Sequence, residues 1–103
     1  MAKSLCKLTI VCPRSIRRHV RDILLEGPAG GSGFSEISIL GHGQPSALTS
    51  ASEKVSGMAE NSMFQLVLNE GNVAQILDEV QAKLNRPGLS YWTEPVLEFG
   101  ILS

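Results

Sequence analysis

The sequence predicts an α+β sandwich in which two helices cover one face of an antiparallel sheet. Three observations predict it. Apolar residues alternate in four short segments, they recur at helical spacing in two others, and the order along the chain is strand, helix, strand, strand, helix, strand. A chain of 103 residues suffices for one hydrophobic core. We therefore expect a single domain over residues 1–103.

The first half of the chain predicts a strand, a helix and a second strand. Residues 5–12 alternate in the manner of a half-buried strand, with these on the core side: Cys6, Leu8, Ile10 and Cys12. A helix should follow Pro13, because one helical face carries Ile16, Val20, Ile23 and Leu24. Gly27-Pro28 should end this helix, and residues 34–40 predict the second strand.

The second half begins with a break and a long connection. Gly41-His42-Gly43 is expected to end the second strand, and residues 44–61 are expected to form a long, largely polar loop. Residues 62–68 alternate again and predict the third strand. An apolar helical stripe then predicts a helix, with Val73, Ile76, Leu77, Val80 and Leu84. Residues 91–93 should supply the last strand, and after Pro95 residues 96–102 should supply a short extra C-terminal strand.

This order of elements predicts the ferredoxin-like βαββαβ sandwich, since right-handed crossovers place both helices on the same side of the sheet. The opposite face would carry Lys7, Thr9, Val11, Ser38, Leu40, Met63, Gln65 and Val67. Such a half-apolar face favours burial between subunits. The alternative is an ordinary solvent-facing surface, because folded proteins expose much apolar area.

Several segments resemble the PII-type signalling proteins. Residues 33–44, GFSEISILGHGQ, resemble the second strand of that family. In the family, this strand begins with a glycine, a large apolar residue and Ser or Thr, and it ends with Gly-x-Gly. Three further segments resemble the same family. Residues 10–13 resemble the end of its first strand, residues 64–70 resemble its third strand, and residues 94–96 resemble the Pro-Val of its fourth strand. The sequence is most similar to a short bacterial PII-like family of unknown function, whose loop carries a Glu-x-Val-x-Gly element like residues 53–57.

The resemblance implies a non-enzymatic regulatory or adaptor protein that assembles as a homotrimer. Ligand-binding members hold a nucleotide in the cleft between subunits. By position, the ligand-binding candidates here are Ser35, Gly41, His42, Gly43 and Gln44. Glycines allow backbone N–H groups to approach an anion closely. The resemblance also implies that the 44–61 loop contacts a regulatory protein partner.

The match to the nucleotide-binding pattern is incomplete. The basic turn expected after the second helix is reduced to Arg86-Pro87-Gly88, and no arginine follows Pro95. Pro45 and Asn61 stand where the family has glutamine and lysine. The sequence therefore favours loss of adenine nucleotide binding over its retention, and the cofactor stays unknown.

A second interpretation is a metal-tolerance protein of the related CutA type. His42 would then bind a transition metal together with loop or neighbouring-subunit groups. No Cys-x-x-Cys or closely spaced Cys-His pair supports a metal site, and Cys6 and Cys12 are expected to be reduced residues in or near the core. A third alternative is an oligomerisation module without a ligand.

Composition and charge exclude several other functions. An aromatic content of 5% and a net charge of −1 do not fit a nucleic-acid-binding surface. No apolar stretch is long enough to span a bilayer, so we expect a cytoplasmic protein. The charges are nevertheless segregated. Six of the nine basic residues lie in residues 3–21, and all ten acidic residues lie at or after Asp22. We expect the first helix to pair with later acidic segments of the same or another subunit.

Overall fold

Four antiparallel strands and two helices make up the structure. The computed structural model describes residues 4–27, 33–42, 58–84 and 88–103. In chain order the elements are β1 (Leu5–Pro13), α1 (Arg17–Glu26), β2 (Ser35–His42), β3 (Met58–Asn69), α2 (Val73–Leu84) and β4 (Ser90–Val96). A short 3₁₀ turn precedes each helix, at Arg14–Ile16 and Glu70–Asn72.

The strands lie in the order β2-β3-β1-β4, and every neighbouring pair is antiparallel. The two central strands are therefore β1 and β3, while β2 and β4 form the edges. This is the ferredoxin-like arrangement that the order of predicted elements requires, and that prediction is confirmed.

The core lies between the sheet and the two helices. Alternate residues of β1 are buried against the helices, as predicted: Cys6, Leu8, Ile10 and Cys12. The predicted face of the first helix is also buried, through Ile16, Val20, Ile23 and Leu24. The second helix contributes Ile76 and Val80, and β3 contributes Phe64 and Leu66. Phe64 meets Phe34 edge to face, with ring centroids 5.8 Å apart.

The β2–β3 hairpin is longer than the sequence predicts. Gly41 and His42 do not break β2 but pair with Ala59 and Met58, so β3 begins at Met58 and not at residue 62. The predicted 44–61 loop is therefore wrong over residues 58–61, and its remainder, 44–57, lies outside the described residues. Pro13 of β1 pairs with Asn61, so the hairpin extends three β3 residues past the end of β1.

The predicted facing of β2 is also wrong. Glu36 and Ser38 pair with Phe64 and Ser62, which face the helices. Consequently Ser38 and Leu40 lie on the helix side of the sheet, and Ile37 lies on the other side opposite Met63. The physical reason is that β2 lies at the sheet edge, where both of its faces mix polar and apolar residues and its helix-facing Glu36 reaches Arg17.

The C-terminal prediction needs one correction. β4 runs unbroken through Pro95, which an edge strand tolerates because its outer side needs no ladder donor. Residues 97–103 form no strand, so the short extra C-terminal strand is absent from this chain. The apolar residues of this segment project from the sandwich: Leu97, Phe99, Ile101 and Leu102. Within the described ranges, neither helix is long and apolar enough to cross a bilayer.

Candidate functional site

The face of the sheet that the helices leave uncovered carries the candidate site. We call it the open face. Cross-strand partners lie on the same side of a sheet, so the registers assign the residues of this face. Its central row runs across the four strands through Ser35, Gln65, Thr9 and Trp92. A neighbouring row is more apolar and runs through Ile37, Met63, Val11 and Ser90.

The centre of the open face is densely packed although no helix covers it. Thr9 is completely buried, between Gln65 on one side and Trp92 on the other. By contrast, Trp92 itself is 41% exposed and Ile37 is 42% exposed. The open face therefore has a buried centre at Thr9, and Trp92 and Ile37 leave apolar surface exposed around it.

A charged network fixes the indole of Trp92 on this face. Trp92 Nε1 donates a hydrogen bond to Glu94 Oε1 at 3.0 Å, and Lys7 Nζ lies 3.3 Å from the same oxygen. The hydrogen bond from Trp92, followed by the contact with Lys7, lowers the pKa of the Glu94 carboxyl group. This network was not predicted from the sequence. The sequence does contain one indication of it, because a tryptophan and a glutamate two residues apart lie on the same face of a strand.

Ser35 and Gly41 lie at opposite ends of β2. Both belong to the open face, where Ser35 pairs with Gln65 and Gly41 pairs with Ala59. Six residues of extended strand separate them by about 20 Å, at ~3.3 Å per residue. A single copy of the chain therefore does not bring these two candidates together around one small ligand.

Gly41 is the most constrained of the candidates. A Cβ atom built on it would lie 2.9 Å from the side-chain nitrogen Nδ2 of Asn61. The Asn61 amide thus occupies the space that a side chain at position 41 would need. Within one chain, the close approach that this glycine permits is therefore that of Asn61.

His42 lies on the opposite side from Gly41, at the end of the hairpin that extends past β1, and it is exposed. Among the described residues, no group of three or more His, Cys, Asp or Glu side chains could hold a metal ion. The predicted ligand residues Gly43 and Gln44 lie outside the described residues.

Three basic residues in α1 and in the 3₁₀ turn before it contact acidic residues of the same chain. Arg17 Nη1 lies 3.2 Å from Glu36 Oε2 on β2, and Arg14 Nη1 lies 3.9 Å from Glu60 Oε2 on β3. Arg21 contacts its neighbour Asp22 at 3.1 Å. The predicted pairing of the first helix with later acidic segments thus occurs within one subunit, and it connects the helix layer to the hairpin.

The two cysteines are free and buried, as the sequence predicts. Burial, and then the negative charge of Glu36, raise the pKa of the Cys12 thiol to about 11. Burial and then Glu70 raise the pKa of Cys6. Since the thiolate is the reactive form, neither group is placed for nucleophilic chemistry.

Solved structures with the same fold include PII-like proteins. A structure from Shewanella baltica, described as a DUF3240 family protein, is 22% identical, with a TM-score of 0.76 and complete coverage of both chains. CPII from Thiomonas intermedia, a nitrogen regulatory PII-like protein bound to ADP, AMP and bicarbonate, is 19% identical, with a TM-score of 0.66 over 95% of this chain and 97% of that one.

A PII-like signalling protein from Thermus thermophilus is 17% identical, with a TM-score of 0.59 over 91% of this chain and 88% of that one. At these identities the likeness establishes the fold, which is PII-like. No functionally curated protein matches the chain. The DUF3240 family model, described as a protein of unknown function, matches residues 1–103. The chain therefore belongs to the DUF3240 family.

Proposed function

We propose that this protein is a non-enzymatic, PII-like regulatory or adaptor protein that works as a homotrimer of one-domain subunits. The observation that carries the proposal is the open face. Its centre is sealed at Thr9, while Ile37 and Trp92 keep about two-fifths of their surface exposed, at 42% and 41%. A second copy placed against this face would bury both side chains. The PII-like fold of the solved relatives supports a regulatory role.

The positions of Ser35 and Gly41 support a ligand site that two copies share. They face the same side of the sheet but lie about 20 Å apart along β2, at ~3.3 Å per residue. In an assembly, the hairpin end of one subunit, at Gly41 and His42, can therefore contact a part of the neighbouring subunit other than that subunit's own hairpin end. A small ligand in that cleft would contact backbone N–H groups near Gly41, with Gly43 and Gln44 as further candidates.

The charges of the described residues favour a ligand with few phosphate groups. Arg14 and Arg17 already pair with Glu60 and Glu36. Each phosphate of a di- or triphosphate adds negative charge that such a site must neutralise. CPII is described as bound to ADP, AMP and bicarbonate. Because the nucleotide-binding pattern of the sequence is incomplete as well, we expect a small anion such as bicarbonate to bind this protein more readily than AMP or ADP, and ATP to bind most weakly.

Native mass spectrometry of protein purified without added ligand tests assembly and retained ligand together. We expect three chains per particle at micromolar concentration. Ile37→Glu should dissociate the particle, because it places a charge on the open face. The matched control is Gln75→Glu, on an exposed position of α2, and it should leave the assembly intact. A monomeric wild-type protein would refute the proposed trimer.

Calorimetric titration with AMP, ADP, ATP and bicarbonate tests the ligand proposal. We expect the weakest binding for ATP, and Ser35→Ala should weaken the binding of the best ligand. If a particle of three chains binds none of these compounds, the ligand proposal is wrong, while an adaptor function without such a ligand stands. A Zn²⁺ or Cu²⁺ titration that depends on His42 would instead support the CutA-type interpretation.

A further inference from the structure

The space beside Gly41 on the open face is filled by a single group. Among the described residues, and apart from its own chain neighbours, two atoms lie within 4 Å of a Cβ built on Gly41. Asn61 Nδ2 lies at 2.9 Å and the carbonyl oxygen of Ala59 lies at 3.8 Å. The second distance is an ordinary van der Waals contact. In the described part of the chain, the Asn61 amide is therefore the obstruction that an approaching group would meet at Gly41.

The pairing of the hairpin explains why the amide lies there. Asn61 pairs with Ile39, and cross-strand partners lie on the same side of a sheet. Ile39 and Gly41 are two residues apart and share that side, so Asn61 and Gly41 are diagonal neighbours on the open face. Because glycine has no Cβ, the Asn61 side chain can lie over the backbone of β2 at this point.

The backbone of Asn61 is fixed, whereas its side chain is not deeply packed. Asn61 pairs with Pro13 of β1 as well as with Ile39 of β2. On the other face of the sheet, the neighbouring Glu60 lies 3.9 Å from Arg14 Nη1. The Asn61 side chain is only partly buried. A change of its side-chain rotamer can therefore move the amide away from Gly41 while the strands stay paired.

We propose that the Asn61 amide closes the candidate ligand site in the ligand-free subunit, and that a ligand displaces it to reach the backbone at Gly41. We call this amide the plug. The inference rests on the ligand site of the proposed function and adds the residue that controls access to it. The plug is an autoinhibitory contact, because the chain itself occupies the space that the ligand needs.

The plug limits both the size of the ligand and its affinity. A carboxamide is a small planar group, and the space that it vacates fits a planar group of similar size, such as bicarbonate or a carboxylate. A ligand binds only the fraction of molecules in which the plug has moved, so the observed affinity is reduced by that fraction. Moving one side chain off its preferred rotamer weakens binding by about two- to tenfold.

Calorimetric titration of the wild type and of Asn61→Ala with bicarbonate tests the proposal. The substitution removes the amide and keeps the backbone pairing, and Asn61 lies outside the core, so the variant should fold and assemble as the wild type does. Circular dichroism and native mass spectrometry check this. We expect Asn61→Ala to bind bicarbonate about two- to tenfold more tightly than the wild type.

Asn69→Ala is the matched control. Asn69 is also a partly buried asparagine of β3 on the open face, where it pairs with Leu5. It lies about 26 Å from Asn61 along the strand, at ~3.3 Å per residue. Asn69→Ala should therefore bind bicarbonate with the affinity of the wild type.

NMR of the wild type follows the plug directly. Without ligand, the side-chain amide protons of Asn61 should show nuclear Overhauser contacts with the α-protons of Gly41. We expect saturating bicarbonate to abolish these contacts, while the contacts between the rings of Phe34 and Phe64 persist as an internal control. Contacts between Asn61 and Gly41 that survive in the saturated protein would refute displacement of the plug.

The outcomes separate this inference from the proposed function. If the wild type binds bicarbonate and Asn61→Ala binds it no more tightly, the plug is wrong, while the ligand site stands. Weaker binding by Asn61→Ala would also overturn the plug, because the amide would then be a ligand contact. Binding by Asn61→Ala alone would support it. If neither protein binds bicarbonate, the ligand site and its plug are both wrong, while the trimer and the adaptor function stand.

Discussion

Replacing Gly41 by alanine separates two explanations for a glycine on the open face. One is that Asn61 fills the space beside it within the same chain. The other is that a ligand or a second copy approaches the backbone there. A Cβ at position 41 would lie 2.9 Å from Asn61 Nδ2, so the amide must move by about 0.5 Å to reach an ordinary contact.

Two opposing effects set the magnitude. Moving the Asn61 side chain off its preferred rotamer costs about 0.5–1.5 kcal/mol. Replacing a glycine of ordinary backbone conformation by alanine gains about 0.4–1 kcal/mol through the unfolded chain. We therefore expect Gly41→Ala to change the free energy of unfolding by less than about 1 kcal/mol. In an Asn61→Ala background the clash disappears, and Gly41→Ala should then stabilise the protein by ~0.5–1 kcal/mol.

Urea unfolding of the wild type, the two single variants and the double variant measures this coupling, at one fixed protein concentration because assembly affects stability. We expect a coupling energy of about 1 kcal/mol. Destabilisation by Gly41→Ala of more than ~2 kcal/mol in both backgrounds would refute the role of Asn61. A folded, trimeric Gly41→Ala that loses ligand binding would show that the glycine makes room for the ligand.

Three further predictions concern the core and the titrating groups. Phe64→Ala should destabilise the protein by about 3–5 kcal/mol in urea, because this fully buried ring leaves a cavity, whereas Phe64→Leu should cost much less. Cys12 should resist alkylation at pH 8 in the folded protein and react on unfolding, since its pKa is about 11; rapid modification would contradict its burial. Carboxyl NMR should give Glu94 a pKa below that of an ordinary glutamate, and Trp92→Phe and Lys7→Gln should each raise it. The stabilisation from this lowered pKa is present above the unfolded pKa and is lost as the pH falls through the folded value.

The elements with a buried face were predictable from the sequence because each shows a clear hydrophobic period. In β1, burial alternates at Cys6, Leu8, Ile10 and Cys12, and the helical stripe from Ile16 to Leu24 is buried as the spacing requires. The order of such elements, together with the handedness of crossovers, leaves few topologies. The ferredoxin-like fold follows from these central elements.

The edge of the sheet was not predictable in the same way. In β2, Ile37 and Leu40 are both exposed although they lie on opposite faces, so hydrophobicity does not indicate which face is inside. Residues 59–61 of β3 carry no alternation because none of them is buried in the core. There the pairing with β2 makes the strand, and a periodicity search cannot detect pairing.

The candidate site was predictable only in part. The Gly41 and Ser35 positions follow from the PII-like pattern, and both lie on the open face. Their separation along β2 and the proximity of Asn61 to Gly41 are properties of the paired hairpin. The Trp92–Glu94–Lys7 network also depends on the register between β1 and β4, which local sequence does not specify.

The extension of the β2–β3 hairpin past β1 has a consequence for local stability. Within the described part of the chain, residues 58–60 have strand partners only in β2, and the Arg14–Glu60 contact of 3.9 Å is long and solvent-exposed. Opening this end exposes little apolar surface and so needs a small part of the global unfolding free energy. Its amides should exchange with deuterium much faster than those paired across Leu8 and Leu66. If a ligand slows deuterium exchange at Gly41, it stabilises the most easily opened part of the sheet, from which the chain continues into residues 43–57.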